Sequence, residues 1–136
     1  MNERRKNFSS GSRFEALYGY SRAVRVGDQL WIAGTTGFDY QSMTLPADPA
    51  EQTRQVIRNI DAALARAGSS RADIVQLTTW IRDPAQWDAI GAVLGEAFAD
   101  VLPTNAALVV DFPFPDIAVE IAAIAAIGCG RKGDDR

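Results

Sequence analysis

Two stretches of the chain repeat their apolar residues at helical spacing, and both open on the same signal. In Asp48-Pro49-Ala50-Glu51 an N-cap aspartate precedes a proline at the first helical position and a capping-box glutamate. Val56, Ile57, Ile60, Ala63, Leu64 and Ala67 then recur every three or four residues, and Gly68 closes the segment. Asp83-Pro84-Ala85-Gln86 starts a second helix in the same way. Its stripe is Trp87, Ile90, Val93, Leu94, Ala97 and Phe98, and Pro103 lies just beyond its end.

The segments around these helices favour strands. Residues 22–26 and 30–35 flank Gly27-Asp28, the pattern of a hairpin with a short turn. Residues 74–82 are β-branched and aromatic, and 105–110 form another apolar run. Strand, helix and strand over 74–110 predict a parallel pair joined by a right-handed crossover. Residues 118–127 stay ambiguous. Ile117, Ile121, Ile124 and Ile127 have helical spacing, whereas the β-branched residues and the preceding turn DFPFPD allow a strand. As a strand, this segment is apolar or small on both faces apart from Glu120. Two helices cover only one face of a five- or six-stranded sheet, so the open face predicts an oligomer of identical chains.

Composition narrows the chemistry. The 136 residues suit one domain, and 47% are hydrophobic. The single cysteine, Cys129, admits no internal disulfide, and no apolar run approaches the length of a membrane span. The start, MNERRKNFSSGSR, lacks the apolar stretch of a signal peptide, so a cytoplasmic location is expected. There is no histidine, which removes the commonest general base and metal ligand; neither a metal nor another cofactor is expected. No phosphate-binding loop is present. Residues 1–13 carry four positive charges and one negative, and 131–136 carry three and two. With a total of −3, residues 14–130 hold −7. An acidic body argues against nucleic acid as partner. Mobile tails are expected at 1–13 and 129–136, with one domain over 14–128. The three tryptophans read as core or interface residues.

In this order of elements, several pieces resemble the Rid (reactive intermediate deaminase) family, which also carries the older labels of translation inhibitor and endoribonuclease. Gly19-Tyr20-Ser21-Arg22-Ala23-Val24 is similar to its opening motif, and residues 30–34 to its second strand, which ends in glycine. Asn59 and Gly68 match the pattern that ends its first helix. Leu102-Pro103-Thr104-Asn105 and Val119-Glu120-Ile121-Ala122-Ala123-Ile124-Ala125 are similar to its two closing strands. The resemblance spans about 17–127. It implies an α+β, chorismate-mutase-like fold, a βαβ-rich mixed sheet with two helices on one face. It also implies a homotrimer with small-molecule clefts between subunits, and residues 118–127 as a strand.

The resemblance further implies a site that hydrolyses imines and enamines. In such deaminases a glutamate positions or activates water, a tyrosine shapes the cleft and a glycine offers its amide. These carry over to Glu120 as catalytic residue and to Tyr20 and Gly34 as substrate-binding residues. Thr35 and Thr36, beside Gly34, can donate hydroxyls into the cleft, though threonine at a strand end is also favoured by propensity alone. The family's carboxylate-clamping arginine stands two residues after the proline; here that position is Asn105. Asparagine hydrogen-bonds but cannot form the charged, bidentate fork. The chain thus reads as a divergent member whose ligand lacks a carboxylate or binds it otherwise. Arg22, Arg58 and Arg82 are alternative clamps, though each reads more simply as a solvated side chain. Two functions follow: an imine or enamine hydrolase, or a non-catalytic trimer that binds a small metabolite.

Overall fold

The computed structural model describes residues 4–131, with no side-chain description at 131. The elements run β1 (Arg5–Phe8), α1 (Arg13–Tyr18), β2 (Ala23–Val26), β3 (Gln29–Thr36), α2 (Pro49–Arg66), β4 (Ile74–Ile81), α3 (Trp87–Ala97), β5 (Thr104–Val109) and β6 (Val119–Ala126). They form one six-stranded sheet in the order β1-β2-β3-β6-β4-β5. Only β4 and β5 are parallel; every other pair is antiparallel.

The local signals work as expected in α2. Asp48 accepts the Glu51 amide at 3.0 Å, and beyond the last turn Gly68 takes φ 78° while Ser69 N–H reaches Leu64 O at 2.9 Å. The second proline signal first produces a 3-10 turn over Pro84–Gln86, and α3 follows. The helices bury Val56, Ile60, Leu64, Ile90 and Leu94 against Leu30, Ile32, Leu77, Ile81 and Ile121 of the sheet.

Residues 119–126 are a strand, and their alternation shows why. Val119, Ile121, Ala123 and Ala125 point into the core, while Glu120, Ala122, Ile124 and Ala126 are half-buried on the other face. The last strand fits between β3 and β4, with neighbours on both sides, so pairing outweighs the helical spacing of its isoleucines. Register places Trp31, Ile124, Thr78, Trp80 and Leu108 on this second face, opposite the core face that α2 and α3 cover; Trp31 and Leu108 are exposed.

The expected tails are in part structured. Arg5–Phe8 pairs antiparallel with Ala23–Val26, and α1 follows it. Residues 129–131 form a 3-10 turn, whose Gly130 N–H reaches Asp73 Oδ1 at 2.9 Å. Residues 1–3 and 132–136 of those tails lie outside the described residues. Among the described residues, no helix is long and apolar enough to cross a membrane, and no cluster of three metal-ligating side chains occurs.

Candidate active site

The β3–β6 ladder shifts register between Ile32 and Thr35. Such a bulge re-aims the residues beside it. It brings Gly34 against Glu120: a Cβ on Gly34 would overlap Glu120 Oε2 and lie 3.1 Å from Cδ. Gly34 is therefore glycine because the carboxylate occupies the space of a side chain. Glu120 pairs across the sheet with Thr36 on one side and Trp80 on the other.

Glu120 opens into a cavity of about 390 Å³ walled by Tyr18, Tyr20, Phe38, Tyr40, Phe114 and Ile117, with Gly34 and Phe14 also in contact. Among the described residues no hydrogen-bond donor contacts its carboxylate. Burial raises the Glu120 pKa above 4.5, and the field of Arg22 only partly opposes this. The same apolar surroundings raise the Tyr20 phenol, again against Arg22.

Arg22 is 2% exposed, which the solvated reading of this arginine did not anticipate. Its Nη1 donates to Gly34 O and to Thr35 Oγ1, both at 3.0 Å, so it braces the bulge that positions Glu120. Its guanidinium lies 4.8 Å from the Tyr40 ring centroid and 5.7 Å from that of Tyr20. Glu15 of α1 approaches Nε at 3.7 Å. That Nε has no hydrogen-bond partner among the described residues. Burial pushes the Glu15 pKa up, but bonds from Ser10 and Ser9 and the charge of Arg22 outweigh it and hold the carboxyl below its ordinary range.

The cavity walls are loops, each tied to a rigid element. Asn59 of α2 donates to Thr36 O and Phe38 O at 3.0 and 2.8 Å. Buried Gln52 donates to Pro46 O and Asp116 O and accepts from Ala118 N–H, each at 2.8 Å. Arg82 donates from Nε to Ile117 O at 2.9 Å and from Nη2 to Phe114 O at 2.8 Å, and also pairs with Asp111. Arg82 therefore holds a loop. Arg58 lies on α2, bonded to Gln55.

Of the expected site residues, Glu120, Tyr20 and Gly34 meet in this cavity. Thr35 does not reach it. Its register with Ile121 turns it to the core face, where it is fully buried and donates to Ala33 O at 2.7 Å; the cavity threonine is Thr36. Asn105 is also elsewhere in the single chain. Parallel pairing sets it beside Leu77 on the core face, whereas Glu120 pairs with Trp80 on the opposite face. Asn105 accepts from Thr79 Oγ1 at 3.0 Å and borders a separate cavity with Trp87, Leu94 and Phe98. The aromatic lining was not foreseen. Its signal was present in Phe14 and Tyr18, one helical turn apart, and in the phenylalanines of DFPFPD.

Comparison with known proteins gives consistent matches. A family model described as Endoribonuclease L-PSP matches residues 10–127. A RutC family protein of Pyrococcus abyssi is 34% identical over 107 residues, covering 78% of this chain and 84% of the relative. A rat protein named 2-iminobutanoate/2-iminopropanoate deaminase is 30% identical over 125 residues, 91% of each chain. A member of the YjgF/YER057c/UK114 family from Mycobacterium tuberculosis superposes with a TM-score of 0.82 at 39% identity, covering 90% of this chain and 99% of the other. TdcF of E. coli with bound serine is similar at a TM-score of 0.73 and 30% identity, over 79% and 87% of the two chains. With the motifs from Gly19 to Ala125 and the sheet that carries them, these matches show that the chain belongs to the Endoribonuclease L-PSP family, the Rid family its sequence resembles.

Proposed function

We propose that the protein hydrolyses the C=N bond of a small imine, or of an enamine after tautomerisation, with Glu120 as the proton-transfer group. The observation that carries this reading is the Glu120 carboxylate itself. It is half-buried, free of donors among the described residues, raised in pKa and part of the wall of a ligand-sized cavity. Glu120 takes a proton from water as the oxygen adds to the imine carbon. The C=N electron pair moves to nitrogen, which is protonated. The carbinolamine then collapses to a carbonyl compound and ammonia. The name of the rat relative supports this reaction type.

The exposed second face of the sheet, with Trp31 and Leu108, supports association into a homotrimer. In that assembly Asn105 of one copy would complete the cavity of another as a ligand-orienting group. Small-molecule chemistry fits this chain better than cleavage of RNA, because it has no histidine and its body is acidic.

The test is ammonia release from a panel of dehydroalanine-derived and cyclic imines by the wild type and by Glu120→Gln. Turnover lost in the variant, with a cooperative melt at or above the wild-type temperature, supports the reading. Equal rates refute Glu120 as the catalytic residue. Ligand-dependent thermal stabilisation with no turnover on any imine favours the metabolite-binding trimer, for which the neutral Asn105 is the supporting observation.

A further inference from the structure

The cavity at Glu120 combines a ring of aromatic side chains, one carboxylate and no cation. Five rings come from Tyr18, Tyr20, Phe38, Tyr40 and Phe114, and Phe14 packs among them, 5.8 Å from Phe38 and 5.1 Å from Phe114. Among the described residues, Glu120 is the only carboxyl in this wall and no lysine or arginine borders it.

The nearby arginines are committed elsewhere. Arg22 borders a neighbouring depression, and Tyr40 borders both spaces. The charge of Arg22 is already shared with Glu15 at 3.7 Å and with Gly34 O and Thr35 Oγ1. Arg82 is bonded to Ile117 O, Phe114 O and Asp111. Arg13 lies 5.9 Å from the Phe14 ring centroid and borders an adjoining depression, not this cavity. Arg22 is thus engaged by Glu15 and reaches Glu120 only through its field, and among the described residues Glu120 is the one charged group on the cavity wall. Aromatic faces attract cations and repel anions, and a carboxylate at the end of such a box fixes the position of a positive nitrogen.

On the reading of this cavity as the hydrolytic site, we propose that its substrate is a cationic iminium or amine-derived imine that bears an aromatic or bulky apolar substituent and no carboxylate. The nitrogen sits by Glu120 and the substituent fills the space between Tyr20, Phe38 and Phe114. Two relatives are described by carboxylate-bearing compounds, the iminobutanoate and iminopropanoate of the rat enzyme and the serine bound by TdcF. This chain has Asn105 at the position of the clamping arginine, and among its described residues no cation borders the cavity wall. A carboxylate in that box would face Glu120 and the electron-rich rings with no charged partner.

The experiment uses three matched probes that cannot be hydrolysed: benzylammonium, benzyl alcohol and benzoate. Their affinities for the full-length protein are measured by calorimetry at neutral pH. Benzylammonium is expected to bind at least tenfold more tightly than benzoate, with benzyl alcohol between them. Glu120→Gln should collapse that preference to about the level of the alcohol. Phe38→Leu should weaken the cation several-fold while leaving the melting temperature close to wild type. Benzoate binding as tightly as benzylammonium, an unchanged preference in Glu120→Gln, or no binding of any probe by folded protein overturns the proposal. Because no turnover is read, absence of imine hydrolysis refutes the hydrolase reading alone and leaves the charge selectivity to be decided here.

Discussion

Replacing Gly34 with alanine adds one methyl group at the point where the bulge meets Glu120. Its backbone does not lie in the left-handed region, so alanine is conformationally allowed. The new Cβ would overlap Glu120 Oε2 and stand 3.1 Å from Cδ and 3.4 Å from Cγ. All three atoms belong to the flexible side chain of Glu120. The fold therefore survives, and the carboxylate swings away by about 1 Å or more. A misplacement of that size costs about 100-fold in rate, or about 2.7 kcal/mol of barrier. The stability change is small, because alanine at a compatible position restricts the unfolded chain by about 0.4–1 kcal/mol while the clash is relieved by rotation. The assay pairs ammonia release under saturating imine with a thermal melt. Gly34→Ala should lose about two orders of magnitude in kcat, with a melting temperature within about 3 °C of wild type. A variant that turns over within threefold of wild type would show that the carboxylate position seen here is not the reactive one.

Three further outcomes follow from the same contacts. Gln52→Leu leaves two carbonyls and one amide N–H without their partner in a buried place, and should cost about 2–3 kcal/mol by urea denaturation. The folded pKa of Glu15 lies below its ordinary value of 4.5, so its contribution is present above that value and lost as pH falls through the folded one. Glu15→Gln should therefore destabilise by about 2 kcal/mol at pH 7, with the deficit shrinking in an acid denaturation series as pH falls from 4.5 through the folded value. Glu120 has the opposite sign. Its folded pKa is raised, so its contribution is present below 4.5 and lost as pH rises through the folded value. Glu120→Gln should thus be more stable than wild type at pH 7, with the gain vanishing below about pH 4.5, and a less stable variant at pH 7 would contradict burial as the cause of the shift.

The elements that could be read locally are those with local causes. Asp48, Pro49 and Gly68 act within one turn of α2, and the stripe from Val56 to Leu64 needs only the helical period. Strand β6 could not be decided this way, because its identity depends on β3 and β4, which are distant in sequence. Strand β1 carries no apolar alternation. RKNF is held by backbone pairing with β2, and its charged side chains suit an exposed sheet edge. The site divides in the same way. Glu120 stands out as one carboxylate in an apolar run, and Gly34 and Tyr20 lie in motifs. Arg22 does not stand out, because its burial depends on α1, which brings Glu15 to it, and on the bulge that turns Gly34 O toward its guanidinium. Thr35 and Thr36 are equivalent in composition. Only the register at Ile121 and Glu120 sends one to the core and the other to the cavity.

These connections explain how a site walled by loops holds its shape. The cavity lies outside the hydrophobic core, and few of its lining side chains are fully buried. Core packing alone would not fix their positions. The fixing is done by side chains anchored on rigid elements that reach loop carbonyls: Asn59 and Gln52 from α2, and Arg82 just beyond β4. Each makes at least two bonds, so each constrains direction as well as distance. Arg22 acts likewise on the bulge but adds a charge, and that charge opposes the burial that raises Glu120. One residue thus sets where the carboxylate stands and limits how far its acidity moves. Position 22 therefore couples geometry to protonation, whereas Asn59, Gln52 and Arg82 act on the shape of the walls alone.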